Sequence, residues 1–188
     1  MKLIAITGGI GCGKSIILSI LKNMGYHVYD CDINAKRLMN NSLIIKNQIA
    51  CKINPNVVEN GVINREKLAE IVFNDNSKLN LLNNIVHSAV KNDIILWKTK
   101  NQNCPILFIE TAILYQSGLD EFVDEVWDVY ASEAIRVDRV MLRNNLTKEQ
   151  VYARINSQQY IPKKKHYNIK RIINEKNIPV IPQILSLI

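Results

Sequence analysis

A glycine-rich segment close to the first residue has the residue types and spacing of a phosphate-binding loop. Residues 8–15 read GGIGCGKS and match the pattern G-x-x-x-x-G-K-[ST] at every required position. Glycines let backbone N–H groups approach phosphate oxygens, and a helix that starts at the end of the loop adds the partial positive charge of its N-terminus. In such a loop Lys14 reaches the β- and γ-phosphates of a nucleotide, and the Ser15 hydroxyl ligates Mg²⁺.

This loop predicts a nucleotide-binding protein, because it follows an apolar run and opens a segment with helical periodicity. The alternative is a glycine-rich turn that binds nothing. The residues predicted to contact the nucleotide are Gly8, Gly9, Ile10, Gly11, Cys12, Gly13, Lys14 and Ser15.

The cysteines allow two interpretations of the loop. A nearby lysine can lower the pKa of the Cys12 thiol and make it reactive, whereas the other interpretation gives Cys12 only the role of a small side chain. Cys12, Cys31, Cys51 and Cys104 include no C-x-x-C pair, so we expect reduced thiols and no zinc site.

Two carboxylates follow the second predicted strand, in the segment YDCD at residues 29–32. Because the carboxyl ends of parallel strands line the ligand crevice, Asp30 and Asp32 are placed to orient an acceptor hydroxyl, accept its proton or hold Mg²⁺ through water. The alternative is that Asp30 ends the strand and Asp32 caps the next helix. Because the sequence also contains a phosphate loop, we favour a catalytic role for at least one of the two carboxylates, with Asp32 preferred to Asp30. The strings N-K-x-D and D-x-x-G do not occur, which argues against a GTPase.

The elements that must position these residues alternate along the chain. Strands are predicted at 3–6, 26–30, 106–109 and 126–130, with edge strands at 171–173 and 179–181. Helices are predicted at 14–24, from 35 onwards, over most of 42–101, at 132–144 behind Ser132, and at 147–158, where Thr147 and Gln150 form a capping box. Turns are predicted at 54–56 and 60–61. This alternation predicts a parallel sheet with helices on both faces in one domain.

Composition and net charge limit the possible classes of function and partner further. The chain has 188 residues, 47% hydrophobic and 22% charged, which is ordinary for a globular domain. It carries neither a signal-peptide pattern nor a long apolar run, so a cytoplasmic protein without a membrane partner is expected. The net charge of +7 fits nucleic acid, a phosphorylated small ligand or a solvated basic face. Because no RNA-recognition motif accompanies it, we favour the small ligand and interpret Lys163–Lys165 as a solvated turn.

Residues 4–37 resemble the opening of the dephospho-CoA kinases. That family typically shows T-G-G-I-G-S-G-K-S, then D-x-D followed closely by an alanine and a basic residue. Thr7 to Ser15 match the first block with only Cys12 in place of serine, and Asp30, Asp32, Ala35 and Lys36-Arg37 match the second.

Later segments resemble the same family in the same order. Val86-His87 matches its His-Pro step with Ser88 in place of proline, and Phe108–Gly118 matches a strand and loop with Ala112 and Gln116 in place of the usual proline and acid. Arg139 and Arg143 fall in its arginine-bearing helix, and Arg154–Gln158 resembles the segment after its lid. Beyond residue 160 the resemblance is limited mainly to Ile172 and Asn174.

This resemblance implies transfer of the γ-phosphoryl group of ATP, with Mg²⁺, to the ribose 3′-hydroxyl of dephospho-CoA. Asp32 would be the base or the orienting carboxylate for that hydroxyl, with Asp30 on the substrate side. Arg139 and Arg143 would meet the ATP phosphates as a lid closes, and the alternative is a solvated face or ion pairs with Asp138.

Two further residues, His87 and Glu110, each have a functional and a structural interpretation. His87 would bind the acceptor or is a satisfied core histidine. Glu110 would help to orient Mg²⁺ or caps its strand.

The fold implied is an α/β P-loop NTPase fold like that of nucleoside monophosphate kinases, with a parallel five-stranded sheet flanked by helices. Its core would span 1–41 and 102–188, a helical substrate-side region 42–101, and a lid 136–160. Two rivals remain, namely another small-molecule or nucleotide kinase and a non-catalytic nucleotide-dependent binding protein acting on RNA. We expect dephospho-CoA rather than nucleic acid as partner, and a monomer or small homo-oligomer.

Overall fold

The computed structural model describes residues 1–157 and 168–188. It divides into two compact units, one formed by Met1–Tyr29 with Asn101–Ile188 and the other by Asp30–Lys100. The Lys163–Lys165 run and the end of the predicted lid lie outside the described residues. Within the described residues, none of the helices combines the length and apolarity that a membrane crossing requires.

The elements alternate much as the sequence predicts. In chain order they are β1 (Lys2–Thr7), α1 (Lys14–Asn23), β2 (His27–Asp30), α2 (Cys31–Asn41), α3 (Leu43–Lys52), β3 (Val58–Glu59), β4 (Val62–Ile63), α4 (Arg65–Phe73), α5 (Asn76–Lys100), β5 (Ile106–Glu110), β6 (Glu125–Tyr130), α6 (Glu133–Asn144), α7 (Lys148–Ser157), β7 (Ile169–Ile173) and α8 (Val180–Leu187).

The five-stranded sheet has the order β2-β5-β1-β6-β7, with β1 at its centre. β1 runs parallel to β5 and β6, and β6 runs parallel to β7. Ile6 lies opposite Glu110 and Thr7 lies opposite Asp128, so β1, β5 and β6 reach the same edge of the sheet. This confirms the predicted sheet and places the glycine-rich segment at the carboxyl edge of its central strand.

The core of the first unit fixes the start of α1 against the sheet. Phe108 and Trp127 are fully buried, with ring centroids 5.1 Å apart, and Tyr26 contacts Phe108 edge-on at 5.4 Å. Ile17 and Leu21, one turn apart on α1, pack into the same cluster. Burying these large side chains holds the glycine-rich loop between two well-packed elements.

The second unit is built from α2 to α5 and has its own apolar core. The shared cluster includes Ile45, Ile49, Leu68, Val72 and Ile85. The predicted turn at 60–61 closes a hairpin of β3 and β4, with positive φ at Asn60 (50°) and Gly61 (75°). The helical periodicity predicted over 42–101 is confirmed by α3, α4 and α5.

The end of the chain differs from its prediction. Residues 179–181 were expected as an edge strand, but Pro179 is the N-cap of α8. Val180 and Ile181 favour strands by type, yet they and Pro182 occupy the first turn of a helix, where a proline loses no hydrogen bond. The side chain of Gln183 then bonds the N–H and C=O of Ile173, at 2.8 and 2.9 Å.

Two predicted helix starts have different outcomes. The capping box before α7 is confirmed, because the Thr147 N–H donates to Gln150 Oε1 at 3.0 Å and the Gln150 N–H donates to Thr147 Oγ1 at 3.4 Å. Ser132 is the N-cap residue of α6, as predicted, but its hydroxyl forms no capping hydrogen bond. Instead its N–H donates to Glu175 Oε1 at 2.8 Å.

Candidate active site

The glycine-rich loop wraps tightly at the end of β1. Gly8, Gly11 and Gly13 have φ of 147°, 81° and 90°, which side chains rarely tolerate. A Cβ at Gly8 would also overlap the carbonyl oxygen of Val129. The loop therefore brings bare backbone to the sheet edge, as phosphate binding requires.

Lys14 lies over this loop. Its Nζ donates to the Gly8 carbonyl at 2.9 Å and lies 3.8 Å from Glu110 Oε1. Both side chains are largely buried, so the carboxylate of Glu110 partly balances the charge of the Lys14 ammonium. Glu110 therefore contacts a loop residue, while its assignment to Mg²⁺ stays a prediction.

Two arginines of α6 reach the loop. Arg136 Nε donates to the Ile10 carbonyl at 2.9 Å. Arg139 Nη1 lies 3.4 Å from the Gly11 carbonyl and 3.5 Å from the Cys12 carbonyl. Arg143 is exposed, and its Nε donates to Asn144 Oδ1 at 2.9 Å. The structure thus brings Arg139 to the loop, and it does not bring Arg143 there.

Sequence reasoning did not predict the loop contacts of two residues, Arg136 and Asn174. Asn174 follows β7, and its Nδ2 donates to the Cys12 carbonyl at 2.9 Å. For Arg136 a signal existed, because Arg136, Arg139 and Arg143 are spaced three and four apart and share one face of a helix. For Asn174 no local signal existed, because Cys12 is 162 residues away in the sequence.

The two carboxylates after β2 have different surroundings. Asp30 is the N-cap of α2, and its side chain accepts the Ile33 N–H at 2.9 Å. The alternative in which Asp32 caps this helix is therefore wrong. Asp32 is exposed in the first turn and forms no side-chain hydrogen bond or ion pair within residues 1–157 and 168–188.

His87 is half-buried on α5. Burial lowers the pKa of its imidazole below the usual 6.5, so the neutral form dominates at pH 7. A neutral imidazole can donate or accept a hydrogen bond, and its contact with the acceptor stays a prediction.

Cys12 is buried within the loop, with 1% of its surface exposed. Burial raises the pKa of its thiol above 9.0, and the nearby charge of Lys14 lowers it by less. The alternative of an activated thiol is therefore wrong, and the interpretation of Cys12 as a small packed side chain fits.

A groove within the second unit was not predicted. It encloses about 220 Å³. Two cationic residues, Lys36 of α2 and Arg65 of α4, line it together with apolar side chains, and Arg65 donates to Asn40 Oδ1 at 2.9 Å. The apolar lining consists of Met39, Leu68, Ala69, Val72, Phe73, Leu79 and Leu82.

The loop fits the phosphates of ATP together with Mg²⁺. Ser15 lies exposed in the first turn of α1, where its hydroxyl can reach a metal ion on the phosphates. The described residues contain no group of three His, Cys, Asp or Glu side chains that would hold a metal alone.

Sheet order, glycine loop and lysine place the chain among the P-loop kinases. A shikimate kinase from Acinetobacter baumannii shares this fold, with a TM-score of 0.51 at 13% identity, covering 100% of this chain and 92% of that one. The family model described as dephospho-CoA kinase matches residues 2–179. The chain therefore belongs to the dephospho-CoA kinase family, which catalyses the final step of coenzyme A biosynthesis.

Individual relatives agree with this assignment. The dephospho-CoA kinase of Bacteroides fragilis is 35% identical over 185 residues, covering 98% of this chain and 90% of the relative. That of Staphylococcus epidermidis is 38% identical over 167 residues, covering 87% and 81%. The solved dephospho-CoA kinase from Campylobacter jejuni has a TM-score of 0.61 at 27% identity, covering 92% and 89%. A crystal structure from Thermus thermophilus reaches a TM-score of 0.81 at 30% identity, covering 99% and 95%.

Proposed function

We propose that this chain transfers the γ-phosphoryl group of ATP to the ribose 3′-hydroxyl of dephospho-CoA, with Asp32 as the base and Mg²⁺ on the nucleotide phosphates. The observation that carries the proposal is the glycine loop with Lys14 folded over it, in a chain that the dephospho-CoA kinase family matches over residues 2–179. Phosphoryl transfer needs positioning and charge stabilisation more than covalent chemistry from the protein.

Lys14 and Ser15 are the main residues that we assign to binding the nucleotide phosphates and Mg²⁺. When phosphates enter the loop, Lys14 exchanges the Gly8 carbonyl for phosphate oxygens, while Glu110 keeps the ammonium oriented. Ser15 would ligate Mg²⁺, which when bound neutralises charge on the transferring group. Arg139, already at the loop, adds a fixed positive charge, and Arg143 would have to turn towards the phosphates.

Asp32 is the main residue that we assign to the acceptor hydroxyl. Asp30 satisfies the start of α2, so Asp32 does not have to cap the helix and its carboxylate can accept a hydroxyl proton. His87, held neutral by burial, would donate or accept a hydrogen bond with the acceptor.

The groove of the second unit supports dephospho-CoA over smaller acceptors. Asp32, Lys36 and Met39 follow each other at helical spacing on one face of α2, and Lys36 and Met39 line the groove. Dephospho-CoA carries a diphosphate between its ribose and a long pantetheine arm. We place the diphosphate at Lys36 and Arg65, and the pantetheine arm along the apolar lining.

The reaction is tested by ADP release from ATP and Mg²⁺, with and without dephospho-CoA. Strong stimulation by dephospho-CoA is expected, and Asp32→Asn should lower kcat by roughly 10²–10⁴-fold, the usual contribution of a general base, while leaving the KM for ATP unchanged. Asp138→Asn, the same change at an exposed carboxylate of α6, is the matched control and should behave as wild type.

Other outcomes would contradict separate parts of this proposal. Stimulation by a different alcohol but not by dephospho-CoA would overturn the acceptor. Full activity of Asp32→Asn with dephospho-CoA would leave the reaction standing and remove Asp32 as its base.

The groove is tested by comparing two exposed helical lysines of the same unit. Lys36→Ala should raise the KM for dephospho-CoA by roughly tenfold through loss of a charge-assisted contact and leave the KM for ATP unchanged. Lys52→Ala, at the end of α3, should change neither value. Ala69→Phe, which fills the apolar part, should raise the KM for dephospho-CoA as well. An unchanged acceptor KM in Ala69→Phe would exclude the groove as the site of the pantetheine arm.

A further inference from the structure

We propose that Arg136, Arg139 and Asn174 form an outer clamp that holds the glycine loop in its phosphate-binding shape through hydrogen bonds to the loop carbonyls. In this clamp all three act as positioning residues, since each contacts the loop backbone and Arg139 also contacts Asn174. The inference depends on the proposed function only in that the loop binds a nucleotide.

Asn174 is the best-fixed member of the outer clamp. It is buried, and its own N–H donates to the Tyr130 carbonyl at 2.8 Å, which ties it to the end of β6. Its side-chain Nδ2 donates to the Cys12 carbonyl at 2.9 Å. Arg139 Nη2 donates to the Asn174 carbonyl at 3.1 Å, so α6 holds the same residue from the other side.

Arg136 holds the preceding part of the loop. Its Nε donates to the Ile10 carbonyl at 2.9 Å. A Cβ placed on Gly9 would overlap the guanidinium of Arg136, so this side chain lies directly against the loop.

These bonds determine where the loop N–H groups point. In a trans peptide the carbonyl and the following N–H point in opposite directions. With the Ile10 and Cys12 carbonyls bonded to the outer clamp, the N–H groups of Gly11 and Gly13 are directed away from it. Those N–H groups are the donors that a phosphate loop offers to its ligand, so the outer clamp preorganises them before the nucleotide binds.

The glycines of the loop fit this interpretation. A Cβ on Gly13 would overlap Asn174 Nδ2, and a Cβ on Gly9 would overlap Arg136. Gly9 is not among the residues with positive φ, so its backbone would accept a side chain. A side chain at position 9 would therefore displace the end of Arg136 before it strained the loop backbone.

The first test measures ADP binding by calorimetry without any acceptor. Asn174→Ala should raise the Kd for ADP roughly five- to tenfold, as expected for loss of one hydrogen bond, and raise the KM for ATP but not for dephospho-CoA. Gln183→Ala is the matched control, because Gln183 holds the neighbouring residue Ile173 by two side-chain hydrogen bonds without contacting the loop. It should lower the melting temperature and leave the Kd for ADP unchanged.

An unchanged Kd in Asn174→Ala, or an equal rise in Gln183→Ala, would overturn the outer clamp. A failure of the proposed acceptor would leave ADP binding intact, so the two failures are distinguishable.

The second test is a double-mutant cycle, which serves even if Asn174→Ala does not fold. Gly9→Ala should weaken ADP binding by pushing Arg136 off the Ile10 carbonyl. In an Arg136→Ala background the added methyl has no guanidinium to displace, so Gly9→Ala should then change the Kd for ADP only slightly. Strictly additive effects would show that the methyl acts on the loop or the nucleotide directly and would contradict the role of Arg136.

Discussion

Cys12 illustrates how two effects on one residue are decided by magnitude. The Lys14 charge stabilises a thiolate, and burial destabilises it. Burial is the larger effect, so the pKa of the Cys12 thiol lies above 9.0 and the thiol stays protonated at neutral pH. A lysine near a cysteine in the sequence therefore does not by itself indicate a reactive thiol.

The prediction at this residue concerns alkylation. In native protein at pH 7.5, iodoacetamide should modify exposed Cys51 and leave Cys12 unmodified over the same time, because the reactive thiolate of Cys12 is scarce and buried. Peptide mass spectrometry measures each site. The Cys51→Ser variant is the control, and it should keep full activity after treatment. Rapid loss of ATP binding in that variant would instead indicate an accessible, activated Cys12.

At the same scale, local patterns were predictable and distant contacts were not. The glycine loop and Lys14 were predicted in full because the motif is contiguous. Asp30 and Asp32 were both identified, but which of them caps α2 depended on the geometry at the end of β2. Asn174 was noted only as part of a family block, and its contact with Cys12 exists only once β7 lies beside β6.

Elements with a clear period or a capping pair were predictable. The helical spacing of α1 and the Thr147–Gln150 pair before α7 depend on interactions within a few residues. The start of α8 does not. Its β-branched residues favour a strand locally, whereas Gln183 joins the helix to Ile173 of the neighbouring strand through tertiary hydrogen bonds. Tertiary contacts overrode local propensity at that point.

The groove in the second unit was not predicted for a similar reason, because it depends on how helices pack and not on local sequence patterns. Each of its walls has an ordinary helical pattern, with apolar residues at three- and four-residue spacing that the sequence assigns to a core. Phe73 nevertheless stays exposed beside the groove, since α2, α4 and α5 leave a space there. Periodicity identifies the apolar face of a helix, and packing decides whether that face is fully covered.

At the scale of the whole molecule, a buried carboxylate connects three strands of the sheet. Glu125 of β6 accepts hydrogen bonds from Lys2 Nζ of β1 at 2.9 Å, from Trp127 Nε1 at 2.6 Å and from Asn168 Nδ2, just before β7, at 3.0 Å. Burial raises the pKa of Glu125, but the hydrogen bonds from Lys2 and Trp127 and the Lys2 charge outweigh it. The net pKa lies below 4.5.

Acid stability of the fold should therefore depend on Glu125. Because its pKa is lower in the folded chain than the unfolded value of 4.5, its contribution is present above pH 4.5 and is lost as pH falls through the folded pKa. Glu125→Gln should lower the free energy of unfolding at pH 7 by about 1–3 kcal/mol, since one buried donor loses its acceptor. The variant should also lose less stability than wild type between pH 5 and pH 3. Urea unfolding at each pH measures both effects, with Glu121→Gln, an exposed glutamate, as control. If the free energy of unfolding falls equally steeply with acid in Glu125→Gln and wild type, other carboxylates are responsible for that fall.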